Sequence, residues 1–180
     1  MYGALKLARF DAAGAQYFDE SRSAALRSFF AAVLVAPAYF LRYPLAPEEM
    51  VAHHEFTVLT ALADILTYSL IWTVFPVVAY HICQAIGRER AFFRFLSAKN
   101  WSTVITSHLS LLMMLLAIGG ALSPGIVALL VLLGGGYMLG YIWFLTKTCL
   151  DISSGAAAGF LVLQIVIEFF VVSFVAVLIG

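Results

Sequence analysis

Charged residues are scarce in this chain. They make up 11% of its 180 residues, whereas an ordinary soluble domain carries about 25%. Apolar residues make up 63%, against about 45–50% in an ordinary soluble domain. So few polar side chains cannot cover a surface that faces water. The composition therefore excludes a soluble globular domain and indicates an integral membrane protein.

Other absences exclude further classes. The chain has two cysteines, too few for a disulfide framework. Its formal net charge is zero, which argues against a nucleic-acid partner held by bulk charge. It lacks a Walker phosphate loop, an H-E-x-x-H zinc motif and a G-x-S-x-G nucleophile motif. We therefore expect no catalytic residue and no enzyme activity.

Long apolar stretches recur along the chain, each able to cross a hydrocarbon core of about 30 Å at about 1.5 Å per residue. They predict an all-α polytopic membrane protein with five transmembrane helices and short amphipathic interfacial helices. We expect a single membrane domain over residues 1–180 that begins with an amphipathic N-terminus, residues 1–23. The predicted spans are 24–43, 57–86, 102–122, 125–145 and 156–179.

Local signals mark the ends of several spans. Ser21 or Ser23 is suited to cap the first span, and Gly87 is a plausible stop for the second. The sequence Ser-Pro-Gly at 123–125 predicts a tight turn, so we expect spans 3 and 4 to form a hairpin.

Lysine and arginine are distributed unevenly between the two sides of the predicted membrane domain. All of them except Arg42 fall on the side of the N-terminus. The positive-inside rule then places the N-terminus in the cytoplasm and the C-terminus outside.

The segment 88–99 mixes basic and phenylalanine residues and is not apolar enough to span. We predict that it lies flat on the inner leaflet and binds anionic lipid headgroups. A docking surface for a cytoplasmic partner is the alternative. Residues 4–18 allow the same two interpretations. The basic residues of the segment are Arg88, Arg90, Arg94 and Lys99.

Glu168 is an acidic residue in the middle of the fifth predicted span. An ionised carboxylate that faces lipid there is costly, so we expect a neutral side chain turned toward other helices. Gln164 lies one turn earlier on the same face and can share a hydrogen bond. A structural tie of the helix to the bundle, a proton or cation site, and contact with a partner subunit all remain open.

Two further polar residues lie inside predicted spans. Asp64 is near the outer end of the second span and His108 near the inner end of the third. Stacked around one cavity with Glu168 they would form a proton relay. The alternative is that each is satisfied locally within its own helix.

Two groups of residues are candidate ligands of a haem or a metal ion. His81 and His108 are predicted at similar depths on neighbouring helices, which suits two axial ligands of one haem, but interfacial histidines fit as well. The adjacent His53, His54 and Glu55 on the outer loop are a possible metal contact. We expect no cofactor.

Glycines four residues apart occur in the last two spans. The pairs are Gly136 with Gly140, and Gly155 with Gly159. Such pairs let helix backbones approach closely. We expect packing within the chain, with an oligomer interface as the alternative.

Two sequence passages suggest a family. They are AKNW from Ala98 to Trp101, and WFLTKTCLDISSGAAAG from Trp143 to Gly159. With five spans and an amphipathic N-terminus, the chain resembles small bacterial Yip1-like membrane proteins. The resemblance implies a bacterial inner-membrane location and a role in binding partner proteins. It implies no catalytic residue.

The first functional expectation is therefore an interaction, assembly or accessory subunit of a larger membrane complex, surrounded by lipids that are anionic on the cytoplasmic side. The alternative is a proton- or ion-coupled transporter or channel component that uses Glu168, Asp64 and His108. A polar cavity at Glu168 would favour transport, and a sealed Glu168 would favour assembly.

Overall fold

The structure, a computed structural model, describes residues 1–45, 57–120 and 122–179, except the side chain of Tyr43. In these ranges the chain is helical and has no β-strand. The elements are α1 Tyr2–Ala8, a 3-10 helix Ala12–Tyr17, α2 Arg22–Ser28, α3 Phe30–Phe40, α4 Arg42–Leu45, α5 Val58–Ala85, α6 Glu89–Ile118, α7 Pro124–Leu150 and α8 Ser154–Ile179.

Five helical stretches are long and apolar enough to cross a membrane. The first stretch, Arg22–Phe40, contains α2 and α3, and the other four are α5, α6, α7 and α8. The predicted all-α fold with five transmembrane helices is therefore confirmed. The short α1 and the 3-10 helix precede the first stretch.

Helix ends follow the local signals. The Ser21 hydroxyl accepts a hydrogen bond from the Ala24 N–H at 3.3 Å, which caps α2 as predicted. After α5, Gly87 has a φ of +70°, and the Arg88 N–H donates to the Cys83 carbonyl at 2.7 Å. This is the pattern of a Schellman stop, in which glycine adopts the left-handed conformation without strain.

The third span differs from its prediction. Residues 88–99, expected as a separate helix lying flat on the membrane, instead lead into α6, which begins at Glu89. α6 has 30 residues and is about 45 Å long. No glycine or proline interrupts it before Gly119. Phe92 and Phe95 are buried in the protein core, so protein covers much of the apolar face of this segment.

α6 is the central helix of the bundle. It contacts α1, α2, α3, α5 and α7, and α8 packs against α5 and α7. The pairing of α6 with α7 is the predicted hairpin. The turns after α5 and α7 meet at one end, where Arg88 pairs with Asp151 at 3.0 Å. We call this end, which also holds residues 1–21, the N-terminal end of the bundle.

The main hydrophobic core lies near this end and includes the N-terminal residues. The fully buried Tyr141 donates its hydroxyl to the Ala4 carbonyl at 2.8 Å. Tyr137 donates to the Ala8 carbonyl at 2.7 Å. α1 and the 3-10 helix touch through two glycines, because a Cβ on Gly14 would lie 2.6 Å from the Gly3 oxygen. The N-terminal segment is thus packed into the fold.

Candidate functional site

Glu168 lies near the middle of α8 and faces the bundle. Its side chain is half-buried, whereas the next two residues, Phe169 and Phe170, are 68% and 65% exposed. The Gln164 side-chain amide donates to Glu168 Oε1 at 2.8 Å. The hydrogen bond expected from the spacing of these two residues is therefore present.

Glu168 and Gln164 line a cavity of about 190 Å³ between α5, α6, α7 and α8. Trp72 and Pro76 of α5 and Ile142 of α7 supply apolar parts of its wall. Most of the other polar groups come from α6. They are Lys99, Asn100, Ser102, Thr103 and Thr106. We call this space the inner cavity.

Lys99 is the basic residue of the inner cavity. It lines the same cavity as Glu168, and its Nζ lies 5.0 Å from the centre of the Phe75 ring. Opposite charges that share a cavity compensate one another, which offsets part of their desolvation cost. The contact of Lys99 with lipid headgroups stays a prediction. Because α6 begins at Glu89, Lys99 lies about 15 Å along the helix and inside the bundle.

Helical spacing explains which side chains accompany Lys99. Thr103 and Thr106 follow it by four and seven residues, so all three lie on one face of α6. The spacing of these three residues was visible in the sequence. It was missed because residues 88–99 were interpreted as a separate segment, which ends at Lys99 and so separates it from Thr103 and Thr106.

Asn100 fixes the position of α6 beside the inner cavity. It is 3% exposed, and its side-chain amide donates to the Ser28 hydroxyl at 2.9 Å. Ser28 in turn donates to the Ala25 carbonyl at 2.6 Å. This chain of two buried hydrogen bonds holds α6 against α2.

A second cavity, which we call the outer cavity, meets the first at Glu168. Its volume is about 490 Å³. Arg42 and Tyr39 line it, and the Arg42 guanidinium lies 3.8 Å from the centre of the Tyr39 ring. Its hydroxyl groups include those of Thr106, Ser107 and Ser110. Glu168 thus lies between two cavities, each of which has a basic residue in its lining.

The predicted relay of Asp64, Glu168 and His108 is not assembled. Among the described residues that line the inner and outer cavities, neither Asp64 nor His108 occurs. His108 is exposed, and its Nδ1 lies 2.8 Å from the carbonyl of Val104 in the same helix. His108 follows Thr106 by two residues, which turns it about 200° away from the face that meets Glu168. The alternative interpretation, in which the polar side chain bonds within its own helix, therefore fits His108.

The geometry also argues against the haem alternative. His81 lies four residues before the end of α5, and His108 nineteen residues after the start of α6. At about 1.5 Å per residue, their depths differ by about 20 Å, so they do not flank one iron. Within the described ranges, no three or more His, Cys, Asp and Glu side chains are grouped for a metal ion. His53, His54 and Glu55 lie outside the described residues.

The other basic residues predicted to bind headgroups are partly occupied within the chain. Arg88 pairs with Asp151 at 3.0 Å. Arg94 pairs with Glu20 at 2.8 Å and donates from Nε to the Cys149 carbonyl at 2.9 Å. Arg90 is exposed, and its headgroup contact stays a prediction.

The glycine pairs do not make the expected close contacts within the chain. A Cβ on Gly136, Gly155 or Gly159 would meet nothing within 4 Å among the described residues, and one on Gly140 would lie 3.7 Å from Phe10. Open space at these positions leaves room for another helix. The oligomer alternative stays a prediction.

Comparisons with known proteins return nothing for this chain: no protein-family model, no curated protein and no solved structure matches it. The resemblance to Yip1-like proteins therefore stays a prediction. The site described above stands on its geometry alone.

Proposed function

We propose that this chain handles protons or small ions inside the membrane, as a transporter or channel component, and that Glu168 and Lys99 are its working pair. The observation that carries the proposal is the inner cavity, which holds both charged groups between apolar helices. Intramembrane ionisable residues that face a cavity commonly mark ion pathways and proton relays.

The volume of the inner cavity supports this assignment. A pair with only a structural role is stabilised most by direct contact and by filling the space around it. The space of about 190 Å³ at this pair is enough for several water molecules, since each occupies about 30 Å³ in the liquid. Water in such a space would let a proton or small ion reach the carboxylate.

The charge balance between Glu168 and Lys99 couples binding of a proton to binding of an ion. While Glu168 is ionised, it compensates the Lys99 ammonium. When Glu168 takes up a proton, Lys99 loses its counter-charge and attracts an anion into the cavity. The inner and outer cavities both border Glu168, so the carboxyl group is positioned to exchange with either. Binding of a proton and binding of an ion are then linked through one electrostatic interaction.

Reconstitution into liposomes tests the proposal. The purified chain is inserted into vesicles that contain a trapped pH-sensitive dye, and a pH gradient is imposed in potassium chloride or potassium phosphate. We expect the gradient to decay faster than in protein-free vesicles, and Glu168→Gln or Lys99→Gln to slow the decay to the rate of protein-free vesicles, because transport depends on these intramembrane charges. Vesicles with the native chain that hold the gradient as long as empty vesicles would refute the proposal.

Asp64→Asn is the matched control. It removes a carboxylate from a membrane-spanning helix, α5, but at a position outside the residues that line either cavity. The proposal expects this variant to keep the flux of the native chain. Equal loss in Asp64→Asn and Glu168→Gln would instead favour the relay that includes Asp64.

A role as an accessory or assembly subunit is the second candidate. It is supported by the open space beside Gly136, Gly155 and Gly159, where another membrane helix can approach closely. Gly159→Leu should prevent such an approach. Gentle extraction of native and variant chains, followed by mass spectrometry of the intact complexes, tests whether a partner or second copy is lost. Unchanged complexes would argue against this candidate.

The location in a bacterial inner membrane, with the N-terminus in the cytoplasm, is also a proposal. It is supported by the basic residues near the N-terminal end of the bundle, which include Lys6, Arg9, Arg88 and Arg90. Labelling of a single cysteine introduced at exposed Tyr17, in intact cells with a membrane-impermeant reagent, tests the orientation once buried Cys83 and Cys149 are replaced by alanine. Rapid labelling before lysis would reverse it.

A further inference from the structure

A groove on the bundle surface is separate from the cavities at Glu168. It runs between α2, α5 and α6 and has a volume of about 480 Å³, within the usual range of about 300–1,000 Å³ for ligand pockets. Along α6 its lining extends from Glu89 to Leu96, which is about 10 Å. Neither Glu168 nor Lys99 belongs to this lining.

The groove is polar at one end and apolar along its length. Arg22, Tyr80 and Glu89 lie at the N-terminal end of the bundle, where α2 and α6 begin. The side chains deeper along the groove are apolar. They are Leu26, Pro76, Val77, Phe93 and Leu96. This gradient is that of an amphiphile with its head at the membrane surface, rather than that of a water-soluble ligand.

The polar mouth carries both signs of charge. The Tyr80 hydroxyl donates to Glu89 Oε1 at 2.7 Å, which holds the carboxylate in place. Arg22 lines the groove at the same end as Tyr80 and Glu89. The mouth therefore offers a guanidinium that can bind a phosphate and a carboxylate that can accept hydrogen bonds from an ammonium group.

We propose that this groove binds a phospholipid with a phosphoethanolamine head. One acyl chain lies along the apolar wall, the phosphate contacts Arg22, and the primary ammonium group contacts Glu89. An anionic lipid with a glycerol head would bring no cation to Glu89. A choline head cannot donate a hydrogen bond to the carboxylate. Charge complementarity at the mouth thus selects a zwitterionic lipid with a primary amine.

The length of the groove fits one leaflet. Half of a hydrocarbon core of about 30 Å is about 15 Å, and the apolar part of the lining, from Phe92 to Leu96, covers about 6 Å of it along α6. The upper part of an acyl chain is therefore enclosed by protein and its end continues into the bilayer. A detergent-solubilised chain should retain such a lipid longer than lipids bound to the open surface.

Retention of lipid by the full-length chain tests the proposal. The chain is reconstituted in vesicles with equal amounts of phosphatidylethanolamine, phosphatidylcholine and phosphatidylglycerol. It is then extracted gently, and the mass of the intact chain with its bound lipid is measured by mass spectrometry. We expect one phosphatidylethanolamine per chain, enriched about tenfold over the other lipids, as one charge-assisted hydrogen bond would give. Equal retention of the three lipids, or preference for phosphatidylcholine or phosphatidylglycerol, overturns the proposal.

Variants distinguish recognition of the lipid head group from binding of the acyl chain. Arg22→Gln should abolish the enrichment, and Glu89→Gln should transfer the preference to phosphatidylglycerol, because Arg22 then remains without an opposing carboxylate. Val77→Trp fills the groove wall and should lower retention of all lipids. Val162→Trp is its matched control, since both valines are 58% exposed but only Val77 lines the groove. Equal retention in the two tryptophan variants also overturns the proposal.

Discussion

Lys99 of α6 and Glu168 of α8 line the same cavity inside the membrane-spanning bundle, although one lies near the start of the third crossing and the other in the middle of the fifth. The continuity of α6 explains this arrangement. A helix that begins at Glu89 carries Lys99 along to the depth of Glu168, whereas a helix that began after residue 100 would leave it at the surface. Each of the two residues thus has an opposite charge in the same cavity.

The first prediction concerns the coupling between these two charges. Lys99→Met and Glu168→Gln should each lower the free energy of unfolding, because each leaves the other charge without its partner. The double variant should lose less than the sum of the two, by about 0.5–3 kcal/mol, the range for residues in one network. Denaturant unfolding of the purified proteins in detergent micelles measures the three values.

Thr73→Ala combined with Glu168→Gln is the control for that cycle. The exposed Thr73 donates to the Ser69 carbonyl of its own helix and does not line the inner or outer cavity. Its effect should add to that of Glu168→Gln within about 0.5 kcal/mol. Additive effects of Lys99→Met and Glu168→Gln would show that the two charges do not interact.

Sequence reasoning succeeded where the decisive information is local. Hydropathy shows the five crossings because each must be apolar by itself. The cap at Ser21, the stop at Gly87 and the hydrogen bond between Gln164 and Glu168 each depend on residues within five positions of one another. The features that sequence reasoning missed depend on contacts between distant parts of the chain. The segment 88–99 is amphipathic, and its pattern alone does not distinguish a lipid surface from the N-terminal helices that cover it.

The second prediction concerns the contact of α1 with the 3-10 helix. Gly14→Ala should detach these elements, because the added Cβ would lie 2.6 Å from the Gly3 carbonyl oxygen and 2.8 Å from Leu7. Overpacking of this kind costs about 1–3 kcal/mol. Limited proteolysis of the chain in micelles should then cut within the N-terminal residues faster than in the native chain.

Gly135→Ala provides the comparison for this variant. Gly135 lies inside α7 with nothing within 4 Å of an added Cβ, so alanine should leave stability unchanged or raise it by up to about 1 kcal/mol. If Gly14→Ala behaved like Gly135→Ala, the close approach of Gly3 and Gly14 would have no energetic role.

The third prediction concerns the bond between the N-terminal segment and α7. Tyr141→Phe removes the hydroxyl that donates to the Ala4 carbonyl at 2.8 Å. This site is fully buried, so the carbonyl is left without that donor at a cost of about 1–3 kcal/mol. Thermal unfolding in micelles should show the loss. Tyr17→Phe, at a tyrosine that is 57% exposed, should be nearly neutral, and a neutral Tyr141→Phe would contradict the prediction.

The fourth prediction is a dependence of N-terminal protection on pH. Lys6 Nζ lies 3.0 Å from Asp11 Oδ2. The hydrogen bond from Lys6, and then that from the Ala13 N–H, lowers the pKa of Asp11 below its ordinary 3.8. A depressed carboxyl pKa stabilises the folded segment above the unfolded value and loses this effect as the pH falls through the folded value. The hydrogen bond to Asp11 likewise raises the pKa of Lys6 above 10.5, so its contribution is lost only as the pH rises through that higher value.

Hydrogen exchange of the amides in α1 and the 3-10 helix measures this effect when the native chain and Asp11→Asn are compared at the same pH, because intrinsic exchange rates then cancel. Asparagine keeps the oxygen that accepts from Ala13 and removes only the charge. We expect the native chain to be better protected at about pH 6 and the two chains to exchange alike once the pH is below the lowered pKa of Asp11. Because the pair is exposed to solvent, about 1 M salt should reduce the difference at pH 6. A difference that did not change as the pH was lowered would assign the protection to the geometry of Asp11 rather than to its charge.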